Sequence, residues 1–338
     1  MRFSEEIARR ALPFRFHTPG HKGLLCRADM TEFDGATPFP GEAVEAAQRE
    51  TAALYGARHL RYSTGGASLC VKAAMLCMPG DVLAAENSHR SVFDGARLAG
   101  IRAVLIKNRT RAGLPLPLSA DDLSAAYQRA GGRIKGVALT SPDYYGQCAD
   151  VMPIVEFCQK NKLILLADSA HGAHFFADPT LFPRCLAPYA DFTALSAHKT
   201  LRAYTQTAYL ACNNDGLLKK LDQGLALLGT TSPSYPMLAQ LSAAALWERE
   251  NAGGYRALKA AADALKRAVK TLPNDDPMRL VVDAAAYGMT GRALYDRLVE
   301  GGLGPEKYDG RYCVCIVTLS DTPENIGALQ GALTRILY

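Results

Sequence analysis

The sequence predicts an α/β fold: a large domain with a mostly parallel sheet, followed by a small α+β domain. Between about residues 60 and 212, short continuous apolar runs alternate with amphipathic stretches. This alternation is typical of a parallel sheet that helices cover on both faces. After about residue 213 the alternation stops, and long helical stretches lead into two further apolar runs.

The elements follow in chain order. Buried strands are predicted at residues 82–85, 103–106, 136–140, 163–167, 192–195 and 208–211, with helices at 69–77, 92–99, 120–130 and 154–160. Beyond them we expect helices at 215–227, 237–269 with an interruption at Gly253-Gly254, 291–300 and 324–337, and strands at 278–282 and 312–318. These elements predict an N-terminal arm at 1–40, a large domain at 41–250 and a small domain at 251–338.

Composition and charge argue against two classes of function. Apolar residues make up 49% of the chain and charged residues 21%, as in ordinary globular proteins. Because no apolar run approaches about 18 residues and the start MRFSEEIARR lacks the apolar core of a secretion signal, we expect no membrane span and a cytoplasmic protein. The net charge of +5 is spread along the chain, so nucleic-acid binding is not expected.

The nine cysteines indicate reduced thiols. Their number is odd and no CxxC occurs, which argues against a disulfide framework and a metal site. Cys313 and Cys315 flank one residue of a strand-like run, so both should point to one face of that strand.

A carboxylate follows the apolar run at 163–167, since the chain continues Asp168-Ser-Ala170-His171. Ligands of such sheets bind beyond the carboxyl ends of the strands. A carboxylate there can pair with the pyridinium nitrogen of pyridoxal 5′-phosphate (PLP) and keep its ring an electron sink. Ala170 is small enough for a flat ring to lie against the backbone. The alternative is an aspartate that caps a loop.

A lysine follows the apolar run at 192–195, in the order Ser196-Ala-His198-Lys199. A lysine amine in a dry pocket has a lowered pKa and can condense with an aldehyde. Ser196 and His198 could donate hydrogen bonds to a phosphate. Lys199 alone could be a solvent-facing side chain. Because Asp168 lies 31 residues upstream, room for one connecting segment between two strands, the pair favours a PLP site.

Two further segments complete the candidate site. The residues Gly65-Gly66-Ala67-Ser68 precede a predicted helix, and a helix N-terminus binds anions such as the PLP phosphate. His89 follows the run at 82–85 and is placed to stack on the cofactor ring. For His89, a polar residue at a helix N-terminus is the alternative interpretation.

At these residues the sequence resembles the fold-type I PLP enzymes, and within them the Orn/Lys/Arg decarboxylase family. The similarity extends over nearly the whole chain. Its segments are TPGHKG (residues 18–23), GGAS (65–68), NSHRSV (87–92), SPDYYG (141–146), DSAHGAH (168–174), SAHKTL (196–201) and TTSPSY (230–235).

The resemblance implies a fold and a set of residue roles. The large domain would be aspartate-aminotransferase-like, and the active unit would be a homodimer with its sites at the interface. Lys199 would form the Schiff base with PLP, and Asp168 would pair with the ring nitrogen. The side chains beside the ring would be Ala170, His89 and His171. The residues that would hold the phosphate are Gly66, Ala67, Ser68, Ser196 and His198, together with Thr231 or Ser232 of the partner subunit.

The implied reaction is decarboxylation of arginine, lysine or ornithine to its amine and CO₂. Lys199 or His198 would return a proton to Cα, and His171 would lie beside O3′ of the ring or the substrate carboxylate. An acidic group would recognise the basic side chain, with candidates Asp143, Glu306 and Asp309. The arm residues His17, His21 and Lys22 could face the site or a neighbouring subunit.

Two departures from the family pattern keep alternatives open. Ala67 stands where the family usually has threonine, and the chain stops at Tyr338, before the further C-terminal domain of family members. One alternative is therefore a PLP-binding homologue with little catalysis. Another is an aminotransferase or lyase, in which Arg279, Arg292 or Arg311 would hold the substrate carboxylate.

Overall fold

The computed structural model describes residues 19–26, residue 29 and residues 41–338. Most of the predicted arm, including His17, lies outside these residues. The strands of the first part of the chain are β1 His59–Ser63, β2 Asp81–Ala85, β3 Ala103–Ile106, β4 Thr110–Arg111, β5 Leu114–Pro115, β6 Ile134–Thr140, β7 Ile164–Asp168, β8 Phe192–Leu195 and β9 Ala208–Cys212. The helices are α1 Gly41–Tyr55, α2 Gly66–Leu76, α3 Arg90–Leu98, α4 Ala120–Ala130, α5 Val151–Lys160, α6 Ala197–Thr200, α7 Asp215–Leu228 and α8 Tyr235–Glu250.

Seven strands form one sheet in the order β1-β9-β8-β7-β6-β2-β3. From β8 to β3 every pair is parallel, whereas β9 pairs antiparallel with both β8 and β1. All six predicted strands of this region are confirmed. β1 was not predicted, because buried and half-buried residues alternate in this edge strand and do not form a continuous apolar run. The hairpin of β4 and β5 was missed as well.

Helices cover both faces of this sheet. Val82 and Ala84 of β2 pack in one cluster with α2 and α7, and Leu83 and Ala85 pack in another with α4 and α5. Successive side chains of a strand point to opposite faces, so β2 is buried on both sides, whereas Leu105 of the edge strand β3 is 57% exposed. None of the helices in the described part of the chain has the length and apolar character that a membrane crossing needs.

The remaining elements build a small three-stranded antiparallel sheet with its helices. They are α9 Tyr255–Ala268, β10 Arg279–Asp283, α10 Gly291–Glu300, β11 Lys307–Tyr308, β12 Tyr312–Ile316 and α11 Pro323–Leu337, with the sheet order β10-β12-β11. The predicted interruption is confirmed as a 3₁₀ turn at Ala252–Gly254. Cys313 and Cys315 share one buried cluster with α9 and α11, as predicted. A domain boundary at residue 250 stays a prediction.

Phe175 and Phe182, from the segment after β7, belong to the same cluster as the small sheet. The small unit therefore packs directly against the loops at the carboxyl ends of the large sheet. This packing brings β11 to the edge where the predicted site residues lie.

Candidate active site

A cavity of about 530 Å³ opens beyond the carboxyl ends of β2, β6, β7 and β8. This is the edge of the sheet where ligands of α/β proteins bind. The predicted site residues that line it are Gly66, Ala67, Ser68, His89, Asp168, Ala170, His171, Ser196, His198 and Lys199. The fold therefore collects side chains that are more than 100 residues apart in sequence into one cavity.

Lys199 and His171 are in direct contact, with Lys199 Nζ 3.1 Å from His171 Nε2. Burial lowers the pKa of Lys199, although Asp168 and Glu306 act in the opposite direction. Burial also lowers the pKa of His171 well below its ordinary value, and the nearby cations Arg279, Lys199 and Lys307 add to this effect. Both side chains are therefore biased toward their neutral forms, and a neutral amine can attack a carbonyl group.

Asp168 ends β7 and is 6% exposed. Its Oδ1 accepts a hydrogen bond of 3.2 Å from the N–H of Ala170. Burial raises the pKa of Asp168, whereas the Ala170 N–H, His89 and Lys199 each lower it. A buried carboxylate on a cavity wall suits a cationic N–H partner, because the pair restores charge balance away from water.

The N-terminus of α2 and the start of α6 provide donors for an anion. Gly65 caps α2 without a side-chain hydrogen bond, so the N–H groups of the first turn remain for a ligand. Ser196, at the start of α6, is 1% exposed and makes no capping bond with its side chain. His198 Nδ1 lies 3.0 Å from the carbonyl of Thr207. That contact fixes the proton on Nδ1 and leaves Nε2 as the second polar atom of the ring.

His89 both caps a helix and lines the cavity, so its two interpretations are compatible. Its Nδ1 accepts from the N–H of Ser91 at 3.2 Å and lies 2.8 Å from the Ser91 hydroxyl. Ala170 is 8% exposed and lines the same cavity. A residue larger than alanine at position 170 would take space from a flat ligand.

The cavity lining also includes residues that were not predicted as site residues, among them Thr140, Tyr144 and Lys307. The Tyr144 ring lies 4.5 Å from the His171 ring, its hydroxyl donates to Glu306 Oε1 at 2.5 Å, and Lys307 Nζ lies 4.2 Å from its ring centre. Thr140 Oγ1 is buried without a hydrogen-bond partner. Tyr144 lies in the motif SPDYYG, so the family resemblance could have pointed to it. Nothing in the sequence around Lys307 distinguishes it from other lysines.

Two of the three candidate acids for substrate recognition each accept several hydrogen bonds from neighbouring groups. Asp143 accepts from the N–H groups of Tyr145 and Gln147, both at 2.9 Å. Asp309 accepts from the Tyr145 hydroxyl at 2.6 Å and from the N–H of Tyr312 at 2.7 Å.

Glu306 differs from them, because its exposed side chain is held by Tyr144 beside the cavity. It also raises the pKa of Lys199, so its charge acts on the reactive amine. Asp143 lines the cavity itself, but its oxygens already accept hydrogen bonds from Tyr145 and Gln147. Glu306, at the border of the cavity, is therefore our preferred candidate for binding a distal cation.

The candidate arginines do not line the cavity. Arg292 and Arg311 pair at the surface with Asp296 and Asp283, at 3.6 and 2.6 Å. Arg279 is completely buried behind the cavity wall. In the described part of the arm, His21 Nε2 lies 3.1 Å from Asp29 Oδ2. His21 does not line the cavity.

Thr231 and Ser232 lie outside this cavity, exposed on the loop between α7 and α8. The neighbouring Thr230 lines a second cavity of about 700 Å³, which reaches Gly65 from the other side of the glycine turn. A contact of Thr231 or Ser232 with the cofactor of a partner subunit stays a prediction.

The comparison with solved structures defines the fold. Lysine decarboxylase A from Pseudomonas aeruginosa matches with a TM-score of 0.79 and 18% identity, over 99% of this chain and 59% of that chain. Serine palmitoyltransferase from Sphingomonas wittichii matches with a TM-score of 0.71 and 16% identity, over 98% and 82%. The chain thus has the fold of the fold-type I PLP enzymes, as predicted.

The model of the Orn/Lys/Arg decarboxylase major domain matches residues 24–284, so the chain belongs to the Orn/Lys/Arg decarboxylase family. The uncharacterized protein YaaO of Bacillus subtilis is 32% identical over 68% of this chain. The arginine decarboxylase of Bacillus anthracis is 27% identical over 95% of this chain. The chain spans about half the length of YaaO (52%) and 73% of that arginine decarboxylase.

Proposed function

We propose that this chain binds PLP and decarboxylates a basic amino acid to its amine and CO₂. The observation that carries the proposal is that the Lys199 amine and the Asp168 carboxylate line one cavity, in a member of the Orn/Lys/Arg decarboxylase family. Bound PLP supplies an electron sink for the electron pair that CO₂ leaves behind. An assay of CO₂ release from arginine, lysine and ornithine decides which of the three is the substrate.

The residues present fit this cofactor. The buried Asp168 carboxylate would pair with the pyridinium N–H, and Ala170 and His89 would lie against the ring. The uncapped N-terminus of α2 would hold the phosphate, with the hydroxyls of Ser68 and Ser196. Backbone N–H groups of that first turn do not depend on the side chain at position 67. The alanine there therefore removes one hydroxyl and leaves the helix-terminal donors in place.

Lys199 and His171 would exchange a proton across their contact. Lys199 must lose a proton to act as a nucleophile, and His171 Nε2 at 3.1 Å can accept it. After CO₂ has left, His171 would give this proton back to Lys199, and Lys199 would pass it to Cα. His198 is the weaker candidate for this role, because Thr207 holds its Nδ1 and its position suits the phosphate.

One carboxylate at the border of the cavity supports a basic substrate. Glu306, held by Tyr144, would bind the distal cation. An aminotransferase needs an arginine for the substrate carboxylate, and none of the arginines in the described ranges lines the cavity. A decarboxylase needs no such clamp, since that carboxylate departs.

We further propose a homodimer. The loop of Thr231 and Ser232 is exposed beside the 700 Å³ cavity, on the far side of the glycine turn that would hold the phosphate. A second subunit at this surface would bring those hydroxyls to its partner's site.

Replacing Lys199 by alanine tests the proposal. We expect the purified protein to show the absorbance of lysine-linked PLP near the visible edge, and Lys199→Ala to lose it, because no other amine occupies that position. The matched control is Lys219→Ala, an exposed lysine of α7, which should keep the band. A Lys199→Ala variant with an unchanged spectrum would contradict the assignment.

The activity is then measured as CO₂ release from arginine, lysine and ornithine, beside transamination of the same amino acids to pyruvate. CO₂ release from one of the three supports the proposed reaction. Transamination without CO₂ release would replace it with the aminotransferase alternative. PLP binding with no turnover of any amino acid would favour the non-catalytic homologue.

A further inference from the structure

Lys307 places a positive charge on the wall of the active-site cavity that the proposed reaction does not use. Its side chain is partly exposed and lines the cavity together with Tyr144 and Tyr145. Its Nζ lies 4.2 Å from the ring centre of Tyr144 and 5.6 Å from that of Tyr145. In the described part of the chain no carboxylate lies within ion-pair distance of this ammonium group. A cation that faces a cavity without a counter-ion can bind an anionic group of a ligand.

Glu306, the preceding residue, brings the opposite charge to the same tyrosine. Its Oε1 accepts a hydrogen bond of 2.5 Å from the Tyr144 hydroxyl, whereas the Lys307 ammonium lies over the ring. The backbone fixes both residues, because the Glu306 N–H donates to the carbonyl of Val314 at 2.9 Å and Lys307 pairs with Val314 in the small sheet. Tyr144 thus holds an anion and a cation that do not form an ion pair with each other. Both charges remain available to a ligand.

Asp309 is the other acid beside β11, and its carboxylate is already engaged. It accepts from the Tyr145 hydroxyl at 2.6 Å. It also accepts from the N–H groups of Arg311 and Tyr312, both at 2.7 Å. These bonds hold the carboxylate within its own turn, so it does not close on the ammonium of Lys307.

We propose that Glu306 and Lys307 together bind a substrate side chain that ends in both an ammonium and a carboxylate group. Glu306 binds the ammonium and Lys307 the carboxylate. This inference rests on the proposed function, because it concerns the far end of the amino acid whose α-amino group reacts at Lys199. The reaction at the near end releases one carboxylate as CO₂ and adds one proton to the same carbon. The product therefore keeps the far ammonium and carboxylate groups.

Two arguments assign Lys307 to the far end of the substrate and not to its α-carboxylate. Lys307 is held on the same tyrosine as Glu306, so both face the same part of a ligand. A cation beside the α-carboxylate would stabilise the charge that is lost when CO₂ leaves, and this would slow the proposed reaction. To a side chain that ends in an ammonium group alone, Lys307 offers only like-charge repulsion.

A matched pair of amino acids tests this assignment. Lysine ends in an ammonium group alone, and diaminopimelate is lysine with a second carboxylate on its ε carbon. Binding to the PLP-loaded full-length chain is followed by the change in cofactor absorbance and by calorimetry, neither of which needs turnover. We expect the unchanged protein to bind diaminopimelate, supplied as the L,L and meso forms, about tenfold or more tightly than lysine.

Lys307→Met removes the charge and keeps an unbranched apolar stem over the tyrosine rings. We expect it to bind diaminopimelate about tenfold more weakly, and to bind lysine equally or more tightly because a like charge has gone. Lys307→Arg keeps the charge and should keep the preference for diaminopimelate. The matched control is Lys270→Met, at an exposed position of the small unit, which should bind both amino acids as the unchanged protein does. Glu306→Gln should weaken both, since both carry the far ammonium group.

An unaltered ratio of the two dissociation constants in Lys307→Met overturns the proposal. An equal loss for both amino acids overturns it as well, because Lys307 would then act on the α-carboxylate or only in packing. An unchanged protein that shows no preference for diaminopimelate, or binds neither amino acid, has the same consequence.

The outcome is separate from that of the proposed function. A protein that prefers diaminopimelate through Lys307 but releases no CO₂ keeps this inference and loses the decarboxylase assignment. A protein that releases CO₂ from lysine, with the same ratio of dissociation constants in Lys307→Met, keeps the decarboxylase assignment and loses this inference.

Discussion

Replacing Glu248 by glutamine should stabilise the protein above pH 7, and by much less at pH 5. Glu248 lies near the end of α8 and is 0% exposed. Its Oε1 accepts a hydrogen bond from the hydroxyl of Tyr255, and its Oε2 is buried without a partner. Burial raises its pKa from 4.5 to about 7, because a buried carboxylate has lost its hydration.

The sign and size follow from linkage. The folded protein keeps the Glu248 proton up to about pH 7, whereas the unfolded chain loses it near pH 4.5. Stability from this group is therefore complete below pH 4.5 and is lost as the pH rises toward 7 and beyond. The difference between these two pKa values, at about 1.36 kcal/mol for each unit, corresponds to about 3 kcal/mol of the free energy of unfolding. Glutamine resembles the protonated acid and does not ionise, so it avoids this loss.

The assay is urea unfolding at pH 5 and pH 8, followed by the fluorescence of Trp247, the single tryptophan of the chain. At pH 8 we expect Glu248→Gln to be more stable than the unchanged protein by about 3 kcal/mol, and at pH 5 by much less. The control is Glu156→Gln, at an exposed position of α5, which should show no such pH dependence. An effect of Glu248→Gln that is equal at both pH values would refute the reasoning.

Two further substitutions test the substrate site and the small unit. Glu306→Gln keeps the hydrogen bond to Tyr144 possible but removes the charge offered to a basic substrate, which should cost about 1.5–3 kcal/mol, a roughly ten- to hundredfold loss in kcat/KM. An unchanged kcat/KM would remove Glu306 from the substrate site. Gly291→Ala would place a Cβ atom 2.1 Å from the carbonyl oxygen of Tyr312, so urea unfolding should show a loss of about 2–4 kcal/mol. Gly327→Ala, with open space around it, should be neutral or slightly stabilising, and equal losses in both variants would contradict the role of this contact.

The strands that carry the site could be predicted because burial on both faces leaves a local signature. Residues 163–167 and 192–195 are continuous apolar runs, and each is followed at once by polar residues. In a parallel sheet, consecutive strand ends meet at one edge, so local patterns were enough to bring Asp168 and Lys199 together. β1 was missed because its half-buried position produces a mixed pattern.

The rest of the site depends on contacts between distant segments. Tyr144 and Glu306 lie in different parts of the fold, and nothing in either local sequence predicts their hydrogen bond. The same holds for Arg279, which looks like any arginine at the start of a strand until the fold buries it. The choice among Asp143, Glu306 and Asp309 likewise required knowing which groups already donate hydrogen bonds to each carboxylate, and Tyr144 and Tyr145 reach Glu306 and Asp309 from a distant loop.

The amino-acid sequence by itself determined the class of fold, the edge of the sheet that holds the site, and the lysine and aspartate at its centre. These depend on hydrophobic periodicity and on residue types at strand ends, which are local properties. Only the tertiary structure decided which side chains surround that pair and which carboxylates near the cavity are already bonded. Burial and electrostatic interactions depend on distances between segments that sequence separation does not give.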